Sequence, residues 1–248
     1  VHGGEDGFSY EGLGIISFTN ELWTDKRMRA NGEDPTKEER KLFRDHLQFE
    51  DVYVPYKEID HPVYGKVMIG GTTKYSSRLT PPWMLEEGCH RNFAFTMFHA
   101  DEMPHLSWGA LDVTSIGKNL WKVTIEVAND KIIPSRTSMA ARHHIGTPDI
   151  LTCKTNSQND VAASGTVMSL LKTTKLQRIA SENPNRIVIN NGIGGNDSTL
   201  FQFIIDGKGE VTFTYNAEKG GSLSRKVSLK EQFDPKPILY KRAISPQQ

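Results

Sequence analysis

Cysteine is nearly absent. Cys89 and Cys153 are the two in 248 residues, which excludes a disulfide framework and a cysteine-rich zinc site. Long apolar runs are also missing: none approaches the ~20 residues of a membrane-spanning helix, so no membrane is expected as a partner. Neither sign of charge is in excess, with 30 basic residues against 30 acidic ones. That balance argues against nucleic acid or an anionic membrane as an obligate partner. The opening Val1-His2-Gly3-Gly4-Glu5-Asp6 carries neither the charged nor the apolar region of a signal peptide, and the redox compartment stays open. What is present is adequate for folding: hydrophobic residues make up 37%, enough to bury a core in one large or two small domains.

The most informative stretch lies near the start. From Gly14 the chain runs almost uncharged through Ile15, Ile16, Phe18 and Thr19, the texture of a strand buried on both faces. Glu21 closes that run and is followed by Leu22 and Trp23, which places it at the C-terminal end of a core strand, where open α/β sheets carry their functional residues. A carboxylate beside so much apolar surface has its ionised form disfavoured and suits general base work. A Glu in an ordinary turn after a strand is the alternative. A buried strand this near Val1 needs sheet neighbours that the preceding residues do not supply, so the chain is expected to be the C-terminal part of a longer protein.

Trp23 to Asp34 is polar and reads as a loop. A helix is expected from Pro35 to about Gln48, with Asp34 as its cap and Leu42, Phe43, His46 and Leu47 on one side. Phe49 to Ile59 alternates weakly, and His61 to Gly71 reads as a hairpin or short strand closed by a glycine pair. Thr80-Pro81-Pro82 opens the clearest helix, about 81–101, with Thr80 as cap and Leu85, Cys89, Phe93, Met97 and Ala100 recurring along one side. Cys89 and His90 are helical neighbours pointing more than a quarter-turn apart, with no third ligand spaced to join them in a metal site, so Cys89 is expected in the core.

Past Pro104 the pattern turns to strands. They are expected at Leu106 to Val113, Leu120 to Asn129, Asp149 to Cys153, Val167 to Leu171, Arg186 to Ile189, Leu200 to Asp206, Glu210 to Tyr215 and Ser222 to Leu229. Gly207-Lys208-Gly209 is expected to be a hairpin turn between two of them. Strands of this kind, separated by Gly and Asn turns, argue for a β-sandwich. Asn190 to Gly195 is glycine-rich but leads into a strand, so it reads as a loop and not as a phosphate cradle. His143 and His144, with Arg142, read as a solvated patch, the two rings pointing to opposite faces of a strand. The tail after Gln232 reads as extended or frayed.

Ser9, Tyr10, Gly14, Ser17, Phe18, Thr19, Glu21 and Leu22 together resemble the end of the catalytic domain of the zinc carboxypeptidases, the carboxypeptidase A and B family. His61-Pro62 with Gly65 and Ile69-Gly70-Gly71, the Pro81-Pro82 helix, and Leu120-Trp121-Lys122-Val123 before Asn129 and Ile133-Pro134 resemble the connector and C-terminal β-sandwich of bacterial members. The resemblance implies an α+β chain. Residues 1–48 would end the α/β catalytic domain, 49–104 would be a connector, 105–232 an antiparallel β-sandwich and 233–248 a tail.

It also implies an activity, the removal of C-terminal residues from a peptide or protein substrate. In that family zinc lowers the pKa of its bound water toward ~7 while the glutamate takes the proton and passes it to the leaving amine. Glu21 matches that glutamate, and Thr19 matches a residue lining the pocket for the substrate's last side chain. Asp6 matches the pocket floor of the basic-specific branch, where it would pair with a C-terminal Lys or Arg; an exposed turn acid is the alternative. Asn20 departs from the family, which carries an apolar residue there.

The family's zinc ligands, a His-x-x-Glu pair and a later His, lie upstream of this motif. His2/Glu5 and His99/Glu102 repeat the bare spacing but not the order. The chain is therefore expected to supply the base and not the metal site, to need a missing N-terminal catalytic portion, and to be inactive alone. Export from a bacterial cell is suggested by the resemblance only. The competing class is a binding module whose β-sandwich recognises a polysaccharide or a protein through Trp83, Trp108, Trp121 and Tyr215. The placing of Trp121 on the apolar side of its strand, and of Trp83 at a helix start, favours core roles for both.

Overall fold

The computed structural model describes residues 3–29, 31–48, 52–74, 76, 78, 80–167, 177–178 and 183–235. In chain order the elements are α1 (Glu5–Gly7), continued by a π turn at Phe8–Gly12, then α2 (Lys37–Leu42), continued by a π turn at Phe43–Leu47. β1 (Tyr53–His61), β2 (Gly65–Thr72) and α3 (Leu85–Asp101) follow, then β3 (Leu106–Gly117), β4 (Leu120–Asn129) and α4 (Ser138–Arg142). The rest is β5 (Asp149–Lys154), β6 (Asp160–Val167), β7 (Gln177–Arg178), β8 (Arg186–Ile189), β9 (Asp197–Asp206), β10 (Glu210–Ala217), β11 (Gly221–Ser228) and β12 (Gln232–Asp234). Two compact units form, Val1–Phe18 with His99–Gln248, and Thr19–Phe98. Among the described residues no helix is long and apolar enough to cross a membrane.

The first unit is built from two antiparallel sheets, ordered β12-β3-β4-β9-β6-β7 and β11-β10-β5-β8. Its centre is the β4–β9 pair, in unbroken register from Leu120↔Asp206 to Asn129↔Asp197. Along β4, Val123, Ile125 and Val127 are fully buried, as period-2 alternation requires of a strand with one face on a core. Those side chains meet Leu151, Cys153, Ile187, Val211, Phe213 and Tyr215 of the other sheet in one apolar cluster. Phe203 meets Phe213 edge-to-face at 5.0 Å, and Phe201 lies 6.3 Å from Tyr215, so aromatic pairs join the two sheets. This is the antiparallel, sandwich-type architecture expected for the region.

Gly207-Lys208-Gly209 is not a hairpin turn. β9 pairs with β4 and β6, while β10 pairs with β5 and β11, so the glycine link carries the chain from one sheet to the other. Gly207 has φ +142°, and a Cβ there would come within 2.1 Å of Asn159 Oδ1. Asn159 Oδ1 accepts from Lys208 N and its amide donates to Glu210 O, fixing the crossing point. β6 begins at Asp160 and ends at Val167, earlier than expected; residues 168–171 of the expected strand lie outside the described residues. β12 pairs with β3, so the start of the tail is a sheet edge; residues 236–248 are outside the described set.

The second unit holds the β1–β2 hairpin, in register from Tyr53↔Thr72 to His61↔Gly65, together with α2 and most of α3. Two caps differ from expectation. Thr36, not Asp34, caps α2 in a reciprocal capping box with Glu39. Thr80 does not cap the helix that follows; its hydroxyl donates to Leu22 O at 2.8 Å. The α3 residues Leu85, Phe93 and Met97 are exposed, as is Cys89, so Cys89 is not a core residue. Helical periodicity defines one apolar side without defining what covers it. Trp83 is half exposed and donates to Leu47 O.

Phe213→Ala is expected to cost about 3–5 kcal/mol, because it empties a fully buried position between the sheets. Phe233→Ala, on the exposed side of β12, is expected to stay within about 0.5 kcal/mol. Urea unfolding of both variants, followed by circular dichroism, measures the contrast.

Candidate functional site

Gly14 to Asn20 has no regular secondary structure, and the buried strand expected there is not formed. A strand buried on both faces needs ladder partners for its N–H and C=O groups, and among the described residues no strand pairs with this segment. Local bonds replace the ladder: Gly14 N donates to Tyr10 O at 3.0 Å and Ile15 N to Ser9 O at 2.8 Å. Ser9 Oγ donates to Glu5 Oε1, and Ser17 Oγ to Asp6 O at 3.4 Å. The result is a hook over residues 5–17. Ile15 and Phe18 are exposed, although Phe18 presents its ring to His99 edge-on at 4.8 Å.

The sequence-derived candidates fall in both units. Asp6 sits exposed in α1 of the first unit. Thr19 and Glu21 lie in the second unit, both exposed, so Glu21 is open to solvent and not enclosed by apolar side chains. Its neighbours are held. Asn20 Nδ2 donates to Asn92 Oδ1 at 3.0 Å, Asn92 Nδ2 donates to Gly88 O at 2.8 Å, and Thr80 bonds the carbonyl of Leu22. The two residues flanking Glu21 are thus tied to α3 and the turn before it. Asn20, the departure from the family pattern, makes one of these ties.

No group of three or more His, Cys, Asp or Glu side chains able to hold a metal occurs among the described residues. Glu102 is buried, and its Oε2 accepts from Ile132 N at 2.9 Å, a loop-fixing role; His2 lies outside the described residues. His143 and His144 are exposed but lie at the end of α4, not on a strand.

Sequence reasoning missed two polar assemblies of the first unit. In the first, Thr137 Oγ1 donates to Gly14 O at 2.8 Å and Lys219 Nζ donates to the same oxygen at 2.9 Å and to Leu13 O at 3.2 Å. Gly14 is buried at φ +63°, and a Cβ there would lie 2.7 Å from Ala140 Cβ. Burial draws Lys219 below the ordinary lysine range, opposed by the adjacent Glu218 carboxylate. Glu218 in turn accepts from Thr147 N and Thr147 Oγ1.

The second assembly is interior. Asp149 Oδ2 accepts from Ser135 Oγ at 2.6 Å and Tyr215 Oη at 2.8 Å, while Ile193 N donates to Ser135 Oγ at 2.7 Å. It pins the loops before α4 and before β9 onto β5 and β10. Being fully enclosed, it offers no approach for a substrate. The only local sign of either assembly is a run of polar residues between strands; the partners stand 66 and 205 positions apart.

The fold is that of a two-sheet antiparallel β protein carrying an N-terminal hook. Residues 105–228, from just before β3 to the end of β11, match a domain of unknown function, DUF8731. The match spans half of the chain, and the chain belongs to that family. No curated protein and no solved structure matches the chain.

Burial pushes Asp149 above its ordinary value of 3.8, and the Ser135 and Tyr215 hydrogen bonds oppose the rise. A carboxyl that holds its proton more tightly when folded adds stability that is full below 3.8 and is lost as pH rises through the raised value. Lowering the pH from 7 toward 4 is therefore expected to raise the urea midpoint of the wild type relative to Asp149→Asn. Parallel midpoints across that range would contradict the assignment.

Proposed function

We propose that the chain is the C-terminal part of a zinc-dependent metallocarboxypeptidase, in which Glu21 is the general base. The observation that carries the reading is the Ser9-Tyr10, Gly14, Ser17-Phe18-Thr19, Glu21-Leu22 pattern. Two structural features support it. Ile15, Phe18 and Leu22 are exposed apolar residues in one short segment, as they are when a strand lacks its sheet neighbours. Glu21 is solvent-accessible, and the backbone on either side of it is anchored through Asn20 and Leu22, which is the preorganisation a proton-transferring group requires.

In this reading the Glu21 carboxylate takes a proton from the attacking water and delivers it to the departing amine. Thr19 lines the pocket for the substrate's terminal side chain, and Asp6 pairs with that side chain when it is Lys or Arg. In this reading the zinc ligands belong to the missing N-terminal catalytic portion. The binding-module alternative has less support. Tyr215 is fully buried and Trp108 and Trp121 pack partly buried against the core, so they do not form an exposed aromatic row.

The longer protein is expected to hydrolyse C-terminal residues from peptides, and Glu21→Gln is expected to lower its kcat by about 10²–10⁴-fold with zinc content unchanged. This chain alone is expected neither to retain stoichiometric zinc in metal analysis nor to turn over a peptide. A parent sequence without an upstream His-x-x-Glu and later His, or turnover by this chain by itself, would sink the proposal.

A further inference from the structure

We propose that the β-sandwich is the anchor of the hook over residues 5–17, with Lys219 and Thr137 as positioning residues acting on the single carbonyl of Gly14. A carbonyl oxygen has two lone pairs, and both are used here by donors from separate loops, Thr137 Oγ1 at 2.8 Å and Lys219 Nζ at 2.9 Å. One of the two is a cation, and charge-assisted hydrogen bonds are the stronger kind.

Each donor is itself held. Thr137 Oγ1 also caps α4 by accepting from Ala140 N, so its proton is free to point at Gly14. Lys219 lies in the turn between β10 and β11, and its neighbour Glu218 is bonded to Thr147 beyond α4. Arg136 Nη2 donates to Ala140 O and Ile145 O, which ties the two ends of the α4 loop together. The receiving side is equally specific. Only glycine fits at position 14, because φ is +63° and a Cβ would press on Ala140 Cβ at 2.7 Å. These contacts do not depend on the carboxypeptidase reading. Their meaning does: under that reading the sandwich fixes the chain at the point where the stretch leading to Glu21 begins.

The test is amide hydrogen exchange on this chain and on Lys219→Met, Lys219→Arg and Gly14→Ala. Loss of the charged donor is expected to speed exchange at Gly14 N and Ile15 N about tenfold, the scale of one charge-assisted hydrogen bond, with the amides of β4 and β9 unchanged. Lys219→Arg is expected to restore protection in large part. Gly14→Ala acts from the receiving side, through the clash with Ala140 and away from β10 and β11, so it is expected to reproduce the effect even if Lys219→Met disturbs those strands. Wild-type exchange at Gly14 and Ile15 in both Lys219→Met and Gly14→Ala overturns the proposal, as does failure of Lys219→Arg to recover any protection. Neither zinc nor turnover enters these readouts, so a parent protein without zinc ligands removes the carboxypeptidase reading and leaves the anchor standing.

Discussion

Everything in the first unit depends on the packing of two sheets through Phe201, Phe203, Phe213 and Tyr215. These side chains are completely removed from solvent, and aromatic residues of this size dominate the burial that holds a β core together. Because β9 and β10 are consecutive and sit in opposite sheets, the aromatic residues of one strand face those of the next across the interior. The link between them has to turn sharply out of one layer into the other. Gly207 and Gly209, both at positive φ, supply that freedom. Asn159 uses its carboxamide to hold the link in place of a ladder partner.

The same packing fixes the loops. Asp149 is carried by β5 and Tyr215 by β10, paired antiparallel, and their side chains converge on Ser135. A buried carboxylate is costly unless its lone pairs are used, and two hydroxyl donors meet part of that cost. The network sets where the loop ahead of α4 lies, and Thr137 is two residues further on. The position of the donor that reaches Gly14 is therefore inherited from the interior of the sandwich.

How much of this was legible in the sequence follows from the range of each interaction. β4 was readable from end to end because the alternation of Trp121, Val123, Ile125 and Val127 is a local signal. The Gly207-Lys208-Gly209 link has the sequence of a hairpin because a turn between sheets uses the same residues as a turn within one; only the distant partners of β9 and β10 distinguish them. Thr36 displaced Asp34 as a cap because the capping box with Glu39 satisfies two backbone groups at once. The strand expected from Gly14 failed for a tertiary reason, since apolar β-branched composition states what a segment can pair with and not whether the pairing strands are there. Cys89 and Phe93 failed likewise: spacing gave them one helix side without a cover.

The Gly14 contacts bear on how the family relationship is to be used. The segment matching the family begins at residue 105, so Thr137 and Lys219 lie inside it and Gly14 lies well before it. A sandwich acting as a free-standing binding module has no need of two loop donors converging on one glycine carbonyl outside its own strands. A sandwich that carries an N-terminal segment needs some such device. It also needs the carried residue to lack a side chain, since close backbone approach to α4 is what brings the carbonyl within reach of both donors. The constraint thus runs from the interior, through Asp149 and Ser135, to Thr137 and then to Gly14, and it makes the hook a structural extension of the sandwich whatever chemistry Glu21 performs.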